Sequence, residues 1–325
     1  MNPSENPTVK LKPNDKPMPL VGLGLWKLPK DKASEVVFEA IKIGYRLLDN
    51  ASDYGNEREV GEGIKKALDA GIVKREDIFI TSKLWNTSHK REHVRPAVER
   101  TLKDLGLTYL DLYLMHFPIS LKYVDPNVRY PAEWSYEPDK QLVIQEPVPF
   151  RETWEAMEEL VDAGLVKNIG ISNTCAALIQ DLLKYARIRP SVLQIEHSPY
   201  LTQERLINFA KSEGMAITGY SNFSNLSYIE INLGNPNNYP KLFDQAIIKE
   251  ISSNYGKTPA QIVLKWVIQR EIAIIPKSSN HNRLLENRNL FDFELTQEEL
   301  HKISSLNRNL RFNDPGEYAN IPIFD

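Results

Sequence analysis

GYRLLDNASDYGNEREVGEGIKKALDAGIVKREDIFITSKL, residues 44–84, is the stretch on which the fold reading turns. YRLLD (45–49) and DIFITSKL (77–84) are short apolar runs bounded by polar residues, which reads as strand. The segment between them, 57–70, places its apolar residues at helical spacing. Two strands joined through a helix pair in parallel, because the crossover returns the chain to the same end of the sheet.

The pattern repeats outward in both directions. LDLYLMHF (110–117), VKNIGIS (166–172), VLQIEH (192–197), MAITGY (215–220) and IAIIPKS (272–278) read as further parallel strands. Candidate helices fall at 32–43, 90–104, 152–163, 175–185, 202–213 and 244–254. In the first of them Val36, Val37, Ala40 and Ile41 share one face, and Gly44 follows as a stop signal. Adding VGLGLW (21–26) before the first helix makes eight strand–helix units with no linker or composition break. The prediction is an α/β fold, a single (β/α)8 TIM barrel over residues 1–325. A doubly wound sheet alternates in the same way, so periodicity alone leaves both topologies open.

Three stretches interrupt the alternation: 118–150, 221–241 and the tail from about 306 to 325. The first two leave the C-terminal ends of barrel strands, where active sites are built, so both are expected to be active-site loops, lids or specificity walls. Tyr123, Tyr130, Trp134 and Tyr136 predict ordered structure for 118–150, since so many aromatics are seldom left in water.

Composition narrows the function classes. A hydrophobic fraction of 42% and a charged fraction of 26% are those of an ordinary globular chain with a full core. The formal charge of -3 comes from 40 basic and 43 acidic residues mixed along the sequence, without the basic stripe that nucleic-acid binding requires. No apolar run approaches the roughly 20 residues of a membrane span, and MNPSENPTVKLKPNDKPMP carries no signal-peptide core. The single cysteine, Cys175, has no internal disulfide partner. The expectation is a cytoplasmic protein without nucleic-acid or membrane partners, in which the glycosylation triplets at Asn86 and Asn225 are chance matches.

Four polar residues fall at or just past the C-terminal ends of three consecutive strands: Asp49 and Tyr54 after YRLLD, Lys83 in TSKL and His116 in LMHF. Each has an ordinary reading, as a helix cap, a loop anchor, an exposed charge and a core histidine. Together they make one chemistry. Hydride reduction of a carbonyl leaves an alkoxide that needs a proton, and a phenol of pKa about 10 is a poor donor unless a cation lowers it. Lys83 would be that cation, Asp49 would hold the ammonium, and His116 would orient and polarise the substrate oxygen.

At these residues the sequence resembles the aldo-keto reductase family. GYRLLDNASDYGNEREVG (44–61), IGISN (169–173) and IPKSSNHNRLLENRNL (275–290) are similar to its three signatures, in order and spacing, and the resemblance runs from about residue 10 to the end. It implies a (β/α)8 barrel, a catalytic tetrad of Asp49, Tyr54, Lys83 and His116 with Tyr54 as proton donor, and no metal. It also implies a nicotinamide coenzyme stacked on Tyr220, with the carboxamide held by Ser172, Asn173 and Gln194. Lys277, Ser278 and Arg283 match the phosphate-reading cluster, Ser279 stands where Asn is common, and Asn287 would contact the adenine. The loop opening at Ser221 would close over the coenzyme, and its Glu230 would accept from the ribose hydroxyls of NADH while repelling a 2′-phosphate. The expectation is NADPH preference with measurable NADH use.

Within the family, KLWN (83–86), MHFPI (115–119) and RFNDPGEYANIPIF (311–324) resemble fungal xylose reductases. That resemblance implies a sugar pocket with Trp26 as aromatic wall, Asp53 and Asn313 facing hydroxyls, and Tyr54 and His116 at the aldehyde; it leaves a homodimer open. Asp53 and Asn313 have ordinary readings as turn residues. Asn50, Thr174, Ser198 and SNFSNLSYIE (221–230) depart from the usual pattern, so another sugar, a sugar phosphate or a small reactive aldehyde stays open as substrate.

Other readings compete. GLGLWK (22–27) lacks the third glycine of a dinucleotide fingerprint, and YEPDK (136–140), spaced like the short-chain dehydrogenase pair, contains Pro138. A coenzyme-binding regulatory or structural barrel is a rival from another class. A metal-dependent hydrolase is a further one, prompted by His89 and His93 at i, i+4, which read more simply as a solvated helix face.

Overall fold

The computed structural model describes residues 7–13 and 16–324. Residues 1–6, 14 and 15, part of the stretch read for a signal peptide, and Asp325 at the end of the expected tail lie outside the described residues.

An antiparallel hairpin of β1 (Thr8–Leu11) and β2 (Lys16–Pro19) precedes the barrel. Eight strands then follow in spatial as well as chain order: β3 (Leu23–Gly24), β4 (Leu47–Asp49), β5 (Phe79–Leu84), β6 (Leu112–Met115), β7 (Ile169–Ser172), β8 (Val192–Glu196), β9 (Ala216–Tyr220) and β10 (Ile272–Ile274). Every neighbouring pair is parallel. The sheet closes on itself, because Val21 bridges Ile274 in parallel and Gly22 N donates to Ile274 O at 2.8 Å. Closure excludes the doubly wound alternative, which keeps two free edges, and yields the expected (β/α)8 barrel. Gly24 stands at the closing seam, where a Cβ would lie 2.3 Å from the carbonyl oxygen of Ile275; only glycine admits that approach.

The expected helices form within about two residues of their read boundaries: α1 (Lys30–Lys42), α2 (Glu57–Asp69), α3 (Arg91–Leu105), α4 (Phe150–Asp162), α5 (Ala176–Tyr185), α6 (Glu204–Ser212) and α7 (Ala246–Tyr255). The sequence reading did not anticipate α8 (Pro259–Ile268), which directly follows α7. All its residues from Gln261 to Ile268 are buried, so PAQIVLKWVI has no polar face for periodicity to detect. Three shorter helices follow: α9 (His281–Arg288), α10 (Gln297–Ser304) and α11 (Pro315–Tyr318).

The hairpin, also unread from sequence, lies at the N-terminal end of the barrel. Leu11 and Met18 join the main core, and Ser191 Oγ, just before β8, donates to Lys12 O at 2.7 Å. At the opposite end, 118–150 is ordered as its aromatics predict. Its Ile119, Leu121 and Ala132 form a second apolar cluster with Trp85, Phe117 and Ile321 of the tail. His93 stacks on Tyr123 at 3.6 Å, the Arg100 guanidinium lies 3.9 Å from the Tyr130 ring centre, and Lys122 sits 4.1 Å over Tyr136. The 221–241 loop folds into short 3-10 turns at Ser224–Ser227, Ile229–Ile231 and Pro236–Asn238.

Candidate active site

Parallel strands deliver their last residues to one rim, and the four candidate catalytic groups meet there. Asp49 is the last residue of β4, Lys83 the fifth of β5, and His116 follows β6 directly. Tyr54 ends a 3-10 turn, Ser52–Tyr54, which Gly55 closes in the left-handed region at φ 67. Lys83 Nζ donates to Asp49 Oδ1 at 2.5 Å, to the Asn50 carbonyl at 2.8 Å and to Tyr54 OH at 3.1 Å. The other carboxylate oxygen, Asp49 Oδ2, accepts from Gln194 Nε2 at 2.7 Å. His116 meets the Tyr54 ring edge-on with centroids 5.9 Å apart.

Burial sets the charge states. It pushes the Tyr54 phenol well above its ordinary value, and the Asp49 and Asp53 carboxylates push the same way. Tyr54 therefore stays protonated through the neutral range, and Lys83 Nζ at 3.1 Å is placed to stabilise a phenolate. Burial lowers Lys83, against the pull of Asp49. It also drives His116 well below the usual imidazole value, helped by Lys83, so the ring is neutral. Its Nδ1 is buried while the residue lines the cavity, which leaves Nε2 as the nitrogen presented to a ligand.

A cavity of about 960 Å³ runs from the tetrad out to the rim. Ser172, Asn173, Gln194, Tyr220, Ser221 and Glu230 line it, as do Lys277, Ser278, Ser279, Arg283 and Asn287. α9 starts at this lining, capped by Asn280 Oδ1 accepting from Arg283 N at 3.1 Å, and a helix N-terminus beside Lys277 and Arg283 is an electrostatic setting that suits an anion. Tyr220 OH donates to Asn173 Oδ1 at 2.5 Å, and Asn173 Nδ2 donates to the His116 carbonyl at 2.9 Å. Asn173 and Ser221 hold positive φ, 56° and 52°, a strained backbone that recurs where loops grip ligands.

Trp26, Asp53, Tyr54, His116 and Asn313 all face the same cavity near the tetrad. Asp53 is half-buried, its Oδ1 lacks a hydrogen-bond partner, and burial with the nearby Glu133 charge pushes its carboxyl up to about 7. Asn313 is held at both ends of its amide, Nδ2 donating to Tyr220 OH at 3.2 Å and Oδ1 accepting from Tyr318 OH at 2.8 Å.

The profile of the Aldo/keto reductase family matches residues 20–308, which includes all eight barrel strands. The chain belongs to the aldo-keto reductase family. An Aspergillus clavatus protein named "Probable NAD(P)H-dependent D-xylose reductase" is 54% identical over 315 residues, covering 97% of this chain and 94% of that one. Among solved structures, the aldose reductase of Schistosoma japonicum is 38% identical with a TM-score of 0.86, covering 98% and 97% of the two chains. A Bombyx mori aldo-keto reductase in complex with NADP is 35% identical with a TM-score of 0.86, covering 98% of each.

This aldo-keto reductase also has site residues that the sequence reading missed. Lys27, at φ 62, donates to the Ser227 carbonyl at 2.6 Å and stands 3.6 Å from Glu230 Oε2, tying the 221–241 loop across the cavity. Its signal was a cation beside Trp26, read only as part of a failed glycine motif. Trp85, Phe117, Trp134 and Tyr318 line the inner wall edge to face, with Trp134 5.3 Å from Trp85 and 5.2 Å from Tyr318. Trp85 stood in the KLWN segment without a role; the others come together only through the loops.

The solvated-face reading of His89 and His93 is corrected. His89 is buried at 2% exposure before α3 begins, and burial lowers its ring to about 3. Among the described residues no group of three or more His, Cys, Asp or Glu comes together at metal-binding distance. The YEPDK stretch ends in a 3-10 turn, Pro138–Lys140, and lies outside the cavity lining. Asn86 and Asn225 are buried at 0% and 1%, which fits chance glycosylation triplets. No described helix is long and apolar enough to cross a membrane.

Proposed function

We propose that this aldo-keto reductase reduces the open-chain aldehyde of an aldose, D-xylose foremost, to the alcohol, with NADPH preferred and NADH accepted. The observation that carries the reading is that one cavity is lined both by Asp49, Tyr54 and His116 and by Lys277, Arg283 and the start of α9. Its volume is at the upper end for small-molecule sites, as a dinucleotide together with a sugar requires. The relative's name, NAD(P)H-dependent D-xylose reductase, and the NADP complex of the Bombyx mori structure support it.

A bound reduced coenzyme supplies the hydride. Lys277, Ser278, Ser279 and Arg283 would hold its phosphates, Asn287 its adenine, Ser221 and Glu230 its closing loop, and Ser172, Asn173, Gln194 and the Tyr220 ring its nicotinamide end. His116, neutral, donates from Nε2 to the substrate oxygen and orients it. Tyr54 gives its proton to that oxygen as negative charge develops, and the Lys83 ammonium at 3.1 Å stabilises the phenolate left behind. Asp49 keeps Lys83 charged and in place. Asp53 and Asn313 would bind sugar hydroxyls against Trp26.

The wall of Trp85, Phe117, Trp134 and Tyr318 favours one second reading, a reductase of small reactive aldehydes without hydroxyls. Following the loss of reduced-nicotinamide absorbance with D-xylose, glyceraldehyde and butanal, with each coenzyme, separates the two. Efficient xylose turnover is expected; turnover of butanal alone would discard the sugar reading. A cytosolic location and a homodimer complete the proposal, tested by cell fractionation and light scattering.

A further inference from the structure

Asn313 stands on a segment without helix or strand between α10 and α11, yet a hydroxyl-binding group has to be held to within a fraction of an ångström. The group that holds it is Glu196. This residue ends β8, is 0% exposed, and belongs to neither the tetrad nor the cavity lining. Its carboxylate faces the backbone of the tail. Phe312 N donates to both oxygens at 3.2 Å, and Asn313 N donates to Oε2 at 2.9 Å.

The surroundings reinforce that clasp. Gln203 Nε2 donates to the Glu196 carbonyl at 2.6 Å, while Gln203 Oε1 accepts from Arg311 at 3.0 Å. Phe312 stacks on Tyr228 of the 221–241 loop at 5.4 Å. Gly234, at φ 67, lets the loop close on Phe312, where a Cβ would approach its ring to 3.0 Å. Burial pushes Glu196 up to about 7, against Arg311 and the two backbone donors. A buried carboxylate is costly, and a glutamine there would turn an amide N–H₂ toward backbone N–H groups.

We propose that Glu196 is a positioning residue for sugar recognition. It clamps the tail backbone at Phe312 and Asn313, which sets the Asn313 amide between Tyr220 and Tyr318 and holds the hydroxyl-binding wall beside the coenzyme platform. It touches neither substrate nor coenzyme. The inference rests on the aldose reading for its substrate. An aldose uses this wall along its hydroxyl chain; an aldehyde without hydroxyls does not.

The test compares wild type, E196Q, E196D, N313A and the double variant E196Q/N313A, with D-xylose and with butanal at saturating NADPH. E196Q is expected to raise the xylose KM roughly ten-fold, as loss of a charge-assisted hydrogen bond does, with kcat within about two-fold and butanal kcat/KM unchanged. E196D keeps two acceptor oxygens and is expected to lose less. The double variant should match N313A alone, because Glu196 acts through Asn313. Equal losses on both aldehydes, or additive effects in the double variant, would overturn the proposal. Wild-type turnover of xylose tests the aldose reading separately. Amide hydrogen exchange at Phe312 and Asn313 tests the clasp without substrate: faster exchange in E196Q supports it and unchanged exchange overturns it.

Discussion

The Lys83 ammonium lies 2.5 Å from Asp49 Oδ1, and the two side chains are only 1% and 3% exposed. A pair so deeply buried is stable only while both charges are present, because removing one leaves the other unsolvated. Asp49→Asn is therefore expected to destabilise the fold by about 3 kcal/mol and to lower reductase activity together with it. Urea unfolding midpoints and a xylose assay measure the two effects. An unchanged midpoint would mean that Lys83 finds another partner.

Tyr54 stands between that pair and the cavity, protonated because burial and two carboxylates raise its phenol. Tyr54→Phe should lower kcat by roughly 100- to 10,000-fold, the usual worth of a positioned general acid. Coenzyme affinity, read by fluorescence titration, should stay nearly unchanged. Wild-type rates in the variant would remove Tyr54 as proton donor.

Glu230 faces Lys27 at 3.6 Å with its side chain 67% exposed, so the ion pair itself contributes little to stability. Its charge still bears on a 2′-phosphate at the same rim. Glu230→Gln is expected to raise the ratio of kcat/KM with NADPH to that with NADH by about five-fold, the effect of roughly 1 kcal/mol. Steady-state kinetics with both coenzymes decide it; an unchanged ratio would show that the carboxylate swings away from the phosphate.

Burial and the Glu133 charge push the Asp53 carboxyl up to about 7 in the folded chain, against about 3.9 for the unfolded residue. A raised carboxyl stabilises the fold fully below the unfolded value, and that contribution is lost as pH rises toward 7. Asp53→Asn should therefore gain stability over wild type at pH 8 by about 1–2 kcal/mol, discounted for the water that reaches the cavity, and gain nothing at pH 4. Denaturant midpoints at the two pH values give the sign.

The barrel was legible because its strands are short apolar runs at regular intervals, each followed by an amphipathic helix. What stayed hidden had no such period: α8 is apolar all round, and the hairpin strands Thr8–Leu11 and Lys16–Pro19 are short and half exposed or prolyl. The tetrad was legible too, since position at a strand end is a property of the sequence once the strands are known.

By itself, then, the sequence determined the alternation of strand and helix and the order in which Asp49, Tyr54, Lys83 and His116 reach one rim, while closure of the barrel rests on the Val21–Ile274 bridge. Only the tertiary structure decided their charges, because burial depends on what packs around each group: it keeps Tyr54 protonated and neutralises His116. Tertiary structure also decided the contacts between segments far apart in the chain, Lys27 with Glu230, Trp85 with Trp134, and Glu196 with Phe312 and Asn313. No local pattern encodes such pairs, since each exists only where two loops from different strand ends meet over the same barrel mouth.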